Sequence, residues 1–356
     1  MNRRIQYWVR LGLVLMFGVF VLAGFREVRG AFVIPRSLGL PPLISPSDNP
    51  STPAKVTLGR KLFFDKRLSS DNSISCATCH DPGYGFSDPH AVSVGVKGRH
   101  GERNSHTVLN IAFMEPLMWD GRAKTLEEQS LLPFLSRNEF DFPPALAVEK
   151  LRRQGYSDLF QQAFGEDISV GNLAKALAAY QRSLAAGDSP FDRYLFLKDT
   201  DAISIEARRG FDVFLHAKCD ACHLIMTPGL HPFGLKHVIF ADGKFHNLGV
   251  GADKSNQDPG RYDVTGEKED WGRFRTPTLR NVALTAPYFH DGSAATLADA
   301  VEFYDKGGKP NRNLDPALLP LKLTVQQKQD LVRFLESLTS SGVAELFREA
   351  ELADKE

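Results

Sequence analysis

An all-α protein built from two similar halves is the fold class that the sequence predicts. Three observations predict it. The pentapeptides Cys76-Ala77-Thr78-Cys79-His80 and Cys219-Asp220-Ala221-Cys222-His223 share one spacing and lie 143 residues apart. Each follows a stretch with apolar residues at helical spacing: Leu58, Leu62 and Phe63 before the first, Ile205 to Phe214 before the second. Alternating strand patterns are scarce throughout the chain.

The elements follow in order. Residues 1–30 read as a signal peptide or an N-terminal anchor. Arg3, Arg4 and Arg10 precede the uncharged apolar run from Leu11 to Ala23, and Val21-Leu22-Ala23 offers a small-residue cleavage site. That run is short against the roughly 20 residues that a membrane span needs. Cleaved or anchored, the folded part is exported, which predicts the periplasm. Residues 31–54 are rich in Pro and Ser and form a lead-in. A helix starts near Val56 and stops before the Ser69-Ser70-Asp71-Asn72 turn. Residues 81–106 carry Gly, Asp, Ser and His with little periodicity and read as loop. Helices follow near residues 126–132, 146–151 and 173–184, the last with Leu173, Leu177, Tyr180 and Leu184 on one face.

Gly187-Asp188-Ser189-Pro190 and Lys198-Asp199-Thr200-Asp201 interrupt the pattern and mark the domain boundary. The expected domains are therefore 31–190 and 200–340, with 341–356 a charged C-terminal tail. In the second domain, 227–270 is a Gly-, Asp- and His-rich loop. A final helix over 326–338 puts Val332, Leu335 and Leu338 on one face. Length and composition agree: 356 residues, 42% hydrophobic and 24% charged, suffice for two globular domains. The 43 basic and 43 acidic side chains cancel, which gives no reason to expect nucleic acid.

All four cysteines fall within the two CxxCH motifs. A disulfide framework or a zinc site would not explain a His directly after both pairs. Covalent haem attachment does: two thiols at this spacing bond the vinyl groups, and the adjacent imidazole ligates the iron. Cys76, Cys79 and His80 thus hold one haem c, and Cys219, Cys222 and His223 a second. Two cytochrome c-like domains related by duplication result. The sixth iron position then decides the chemistry, open for peroxide or filled for electron transfer. Met226 is the only Met after position 118, and it is tethered too near His223 to reach the far haem face.

Longer strings carry a resemblance that covers roughly residues 50–340. Leu62-Phe63-Phe64-Asp65 precedes the first motif. Arg103-Asn104-Ser105, Thr107-Val108-Leu109-Asn110, Trp119-Asp120-Gly121-Arg122-Ala123 and Leu126-Glu127-Glu128-Gln129 follow it. Phe274-Arg275-Thr276-Pro277-Thr278-Leu279-Arg280-Asn281-Val282 runs into Leu284-Thr285-Ala286-Pro287-Tyr288 in the second half. In these the chain resembles the bacterial dihaem cytochrome c peroxidase and MauG family.

The resemblance implies a role for each candidate residue. The distal ligand of the second haem falls 17 residues after Pro287, at Tyr304. Cytochrome c peroxidases of the family usually carry Met there and MauG-type enzymes Tyr, so this chain departs toward MauG. A hard phenolate favours oxidised iron, where a thioether favours reduced iron. The first haem becomes the peroxide site, with Glu139 as the proton-exchanging carboxyl, supported by Gln129 and Pro133. The distal His of many family peroxidases falls at Val96, which implies an open iron, although His90, His100 and His106 lie near in sequence. Trp119 is expected between the haems. One calcium is expected on Asn104 and the backbone carbonyls of Thr285 and Pro287. His216, His231, His237, His246 and His290 take no assigned role.

The resemblance implies a periplasmic dihaem peroxidase that uses hydrogen peroxide to oxidise a Trp or Tyr on a protein partner. The alternatives are a cytochrome c peroxidase fed by a small cytochrome or cupredoxin, and a non-enzymatic dihaem electron carrier. The partners expected are hydrogen peroxide and a protein substrate or electron-donor protein.

Overall fold

Two pairs of crossed helices organise the chain. The computed structural model describes residues 37–225 and 237–353. The leader or anchor expected over 1–30, together with Met226 and His231, lies outside the described residues. Nine helices of eight residues or more occur among the described residues: α1 Pro53–Phe64, α2 Leu126–Leu135, α3 Pro144–Arg153, α4 Ser157–Phe164, α5 Val170–Ser183, α6 Ile205–His216, α7 Leu297–Asp305, α8 Val325–Glu336 and α9 Val343–Ala353. The only strands among the described residues are the two-residue pair β1 Phe245–His246 and β2 Phe274–Arg275, antiparallel. The helix-rich fold expected from the sequence is the one observed, and no described helix is long and apolar enough to cross a membrane.

In the first half α1 packs on α5, and in the second α6 packs on α8. Each crossing uses a glycine. A Cβ on Gly59 would run into the carbonyl oxygen of Ala176, and one on Gly210 into that of Asp330. The absent side chain lets the helix axes approach, so backbone meets backbone at the crossing. The four helices begin on side-chain caps: Thr52, Ser169, Ser204 and Thr324 accept from the backbone N–H three residues on. Two hydrophobic cores form behind the crossings, within one compact unit. The first gathers Leu58, Leu62, Phe63, Leu173 and Leu177. The second is built of aromatic rings, with Phe191 and Phe214 at 5.0 and 5.1 Å from Phe334.

The resemblance between the halves extends well past CxxCH. Asn110 and Asn281 each take a left-handed φ, 60° and 61°, each leads a 3-10 turn, and both direct Nδ2 to the carbonyl of Ala186. Asn tolerates that backbone region better than most residues. A bridge Leu117–Ala123 in one half matches Tyr288–Ala294 in the other. Met118 and Phe289 sit inside these loops at φ 70° and 71°. Thr125 then caps α2 and Thr296 caps α7. In this register Trp119 corresponds to His290, and Pro133 corresponds to Tyr304.

Residues 341–356, expected as a charged tail, contain α9. Its Val343 and Ala350 are buried in the first core, and the Phe347 ring meets that of Phe86 at 6.2 Å.

Candidate active site between the two haem motifs

The first CxxCH begins on a short helical turn, Cys76–Cys79, stabilised by Ser75 and Thr78, whose Oγ1 accepts from Ser75 N at 2.9 Å. The second opens on a 3-10 turn, Cys219–Ala221. All four thiols are free. Burial pushes Cys76 and Cys219 up to about 12 and Cys79 to about 11. No disulfide occupies them, so both pairs remain free for thioether attachment.

The second site lines a largely apolar cavity. A cavity of about 270 Å³ is lined by Cys219, Cys222, His223 and Tyr304, with Leu279, Val301, Leu331 and Leu335 among its apolar walls. His223 Nδ1 is 3.0 Å from the carbonyl of Phe240. That bond makes Nδ1 the donor and leaves Nε2 free for iron. Tyr304, on α7, faces the same cavity. Burial raises its phenol well above the usual range, with the Cys219 and Cys222 sulfurs adding to the effect. Its ring packs against Phe289 and Phe303, and its hydroxyl has no hydrogen bond among the described residues. The residue as a whole is half-buried, and a phenol that lines this cavity beside the two cysteines fits a site where iron would be its partner.

The first site contains two orphaned polar atoms. His80 Nδ1 and Gln129 Oε1 are both buried without a hydrogen-bond partner. The carbonyls of Phe86 and His106 face the His80 imidazole and partly offset its burial. Glu139 follows α2, and its backbone carbonyl accepts from Val96 N at 3.1 Å. Burial holds its carboxyl above the usual carboxylate range, against the pull of Arg122 and a hydrogen bond from Ser136. Val96 is fully buried beside it and presents only methyl groups.

The nearby histidines do not take the place that Val96 leaves. His90 is exposed and bonded to Asp88 at 2.8 Å, and His100 is exposed. The His106 ring lies 6.2 Å from that of His80, and its own carbonyl faces the His80 imidazole, so it sits on the proximal side.

The cavity continues from the second site past Thr285 and Pro287 to Asn104, His106, Trp119 and His290. Trp119 Nε1 donates to the carbonyl of Asn104 at 2.8 Å, and Asn104 N donates to the carbonyl of His290 at 2.7 Å. The Trp119 ring stands edge-on to His106 at 6.1 Å and to His290 at 6.5 Å. His290 in turn stacks on Phe274 at 3.6 Å. Burial depresses both histidines, His290 to about 4 and His106 well below its usual value. The structure thus brings Trp119, Asn104, Thr285 and Pro287 around one space.

Three residues here took no role from the sequence. His290 flanks Trp119. His246 is held between Asp242 at 2.9 Å and Asp315 at 2.6 Å, with Cys222 Sγ 3.9 Å away, and these partners, Asp242 foremost, raise it to about 11. Arg275 is buried, and its backbone N–H donates to the carbonyl of Trp119. The internal repeat could have found His290, since it takes the place of Trp119 in the second half. Arg275 lies in a string that carries the family resemblance, but no role came with it, and nothing in the sequence pointed to His246.

Comparisons agree with this geometry. A family model described as di-haem cytochrome c peroxidase matches residues 53–200. The methylamine utilization protein MauG of Methylorubrum extorquens is 38% identical over 84% of this chain and 82% of its own length. The cytochrome c551 peroxidase of Pseudomonas aeruginosa is 39% identical over 79% of this chain and 78% of its own. A crystal structure of a MauG-like protein associated with microbial copper homeostasis superimposes with a TM-score of 0.74 at 32% identity, covering 86% of this chain and 95% of that one. The chain belongs to the dihaem cytochrome c peroxidase and MauG family, and is a haem peroxidase with two haem c groups.

Proposed function

We propose that this enzyme works in the periplasm as a MauG-type oxidant, spending the oxidising power of hydrogen peroxide on a Trp or Tyr of a protein partner. The observation that carries the reading is Tyr304, which lines the second cavity with the Cys219–Cys222 pair and His223. Bound haem supplies peroxide activation and storage of the two oxidising equivalents. The chain supplies the rest. His80 and His223 would each hold one haem iron, and Tyr304 would be a further ligand at the second. Glu139 takes a proton from peroxide held in the first pocket and returns it to the departing oxygen, with Gln129 beside it. Trp119 carries electrons between the two sites. Its N–H is committed to a carbonyl and the flanking histidines are depressed by burial, so no strong base stands ready to take that proton. Asn104 and the carbonyls of Thr285 and Pro287 would hold one calcium, an all-oxygen set suited to a hard cation. Residues 31–190 form the peroxide-reacting domain and 200–340 the electron-transfer domain.

A cytochrome c peroxidase is the second reading, favoured by the 39% identity to the cytochrome c551 peroxidase. One experiment separates them. The oxidised holoprotein is mixed with peroxide and a reduced small cytochrome c, while EPR follows both haems. The MauG-type reading expects a high-spin resting signal from the first haem, a low-spin signal from the second and slow cytochrome oxidation. Rapid, sustained cytochrome oxidation overturns it. Two low-spin haems inert to peroxide would mark an electron carrier.

A further inference from the structure

Arg275 stands apart from the other buried arginines. Three arginines are buried among the described residues. Arg182 pairs with Glu127 at 2.7 Å and Arg280 with Asp192 at 2.8 Å. Arg275, 4% exposed, has no carboxylate partner among the described residues. Its Nε donates to the carbonyl of Met118 at 3.1 Å and its Nη1 to that of Thr276 at 3.3 Å. Its Nη2 has no partner among the described residues, and the residue lines the cavity that holds His223, Tyr304 and Trp119. Burial alone pulls the guanidinium down to about 10. A buried cation left in this state is costly, and such groups are ordinarily paired. A planar guanidinium with a free edge matches a carboxylate.

Haem c is a dicarboxylate whose two propionates lie at the porphyrin edge away from its thioether bonds. We infer that Arg275 is the counter-ion of a propionate of the haem carried by His223, and that through this pair it fixes the position of Trp119. The second clause rests on the backbone. Arg275 N donates to the carbonyl of Trp119 at 2.8 Å while Nε holds the carbonyl of Met118. One residue therefore grips two consecutive carbonyls of the Trp119 loop and offers its remaining edge to the cavity. The inference depends on a haem at His223 and not on the MauG-type reading.

The test is spectroelectrochemical titration of the holoprotein, with haem counted as the pyridine haemochrome. In Arg275→Gln the midpoint potential of the second haem moves negative, because loss of a nearby cation favours the ferric form, and the first haem's potential stays. Arg275→Lys keeps the charge and shows a smaller shift. An unchanged second-haem potential, or a shift confined to the first haem, overturns the inference. Wild-type protein titrated with chloride and with formate distinguishes a free anion from the propionate. Potentials insensitive to both are expected, and a wild-type potential that follows added anion overturns the proposal without any variant. A haemochrome count below two in wild type would instead sink the two-haem assignment.

Discussion

At the second site the proximal imidazole is steered: His223 Nδ1 bonds the Phe240 carbonyl at 3.0 Å, while His80 Nδ1 is buried with no such bond. The eighth residue after the helix cap is Tyr304 in one half and Pro133 in the other. Proline has no side-chain donor for iron, and a phenol does. One cradle, copied twice, thus differs at both of these positions. On the proposed reading, the well-held imidazole and the phenol would suit an iron that keeps its ligands. The imidazole that lacks this bond and the proline would leave room for peroxide in the first pocket, with Glu139 beside it.

The comparison can be broken most severely by making the halves alike. Pro133→Tyr puts a phenol at the position equivalent to Tyr304. The expected result is conversion of the high-spin EPR signal to low spin, with loss of nearly all peroxide reactivity in stopped flow. A retained high-spin signal would show that the register between the halves does not set coordination. Next in size is Glu139→Gln, expected to slow the peroxide reaction by about 10²–10⁴-fold, the usual range for a removed proton-transfer group. In wild type the carboxylate is the form that accepts the proton. Because burial raises this carboxyl, the rate falls as pH drops through its elevated pKa, a limb that the Gln variant lacks. The smallest effect tests what the halves share. Gly59→Ala and Gly210→Ala each push a methyl into a facing carbonyl and should cost about 1–3 kcal/mol, as overpacking does. Denaturant titration would read that, with haem coordination unchanged. A strongly unequal pair would mean that the two crossings are not equivalent.

Helix-scale features were legible in the sequence. The α1, α2, α5, α6 and α8 segments follow the apolar spacing, with ends displaced by a few residues where caps, not hydrophobic period, set the boundary. The CxxCH residues were legible because attachment chemistry fixes their local spacing. Tyr304 and Glu139 came from the family resemblance, since nothing local distinguishes them from packing or surface residues. The segments 81–125 and 237–296 were opaque. They hold short turns, single bridges and the two-residue β1–β2 pair, so their conformation is set by contacts far along the chain, such as Trp119 with Asn104 and Arg275. Likewise α9 has an apolar face, but only the tertiary structure shows what covers it.

The α9 helix has a consequence for how the protein can be divided. Val343 and Ala350 belong to the core of the first half, yet they follow the whole of the second half in sequence. A cut between the two CxxCH motifs would therefore leave the first core open on one side. The first half is not closed by its own residues alone.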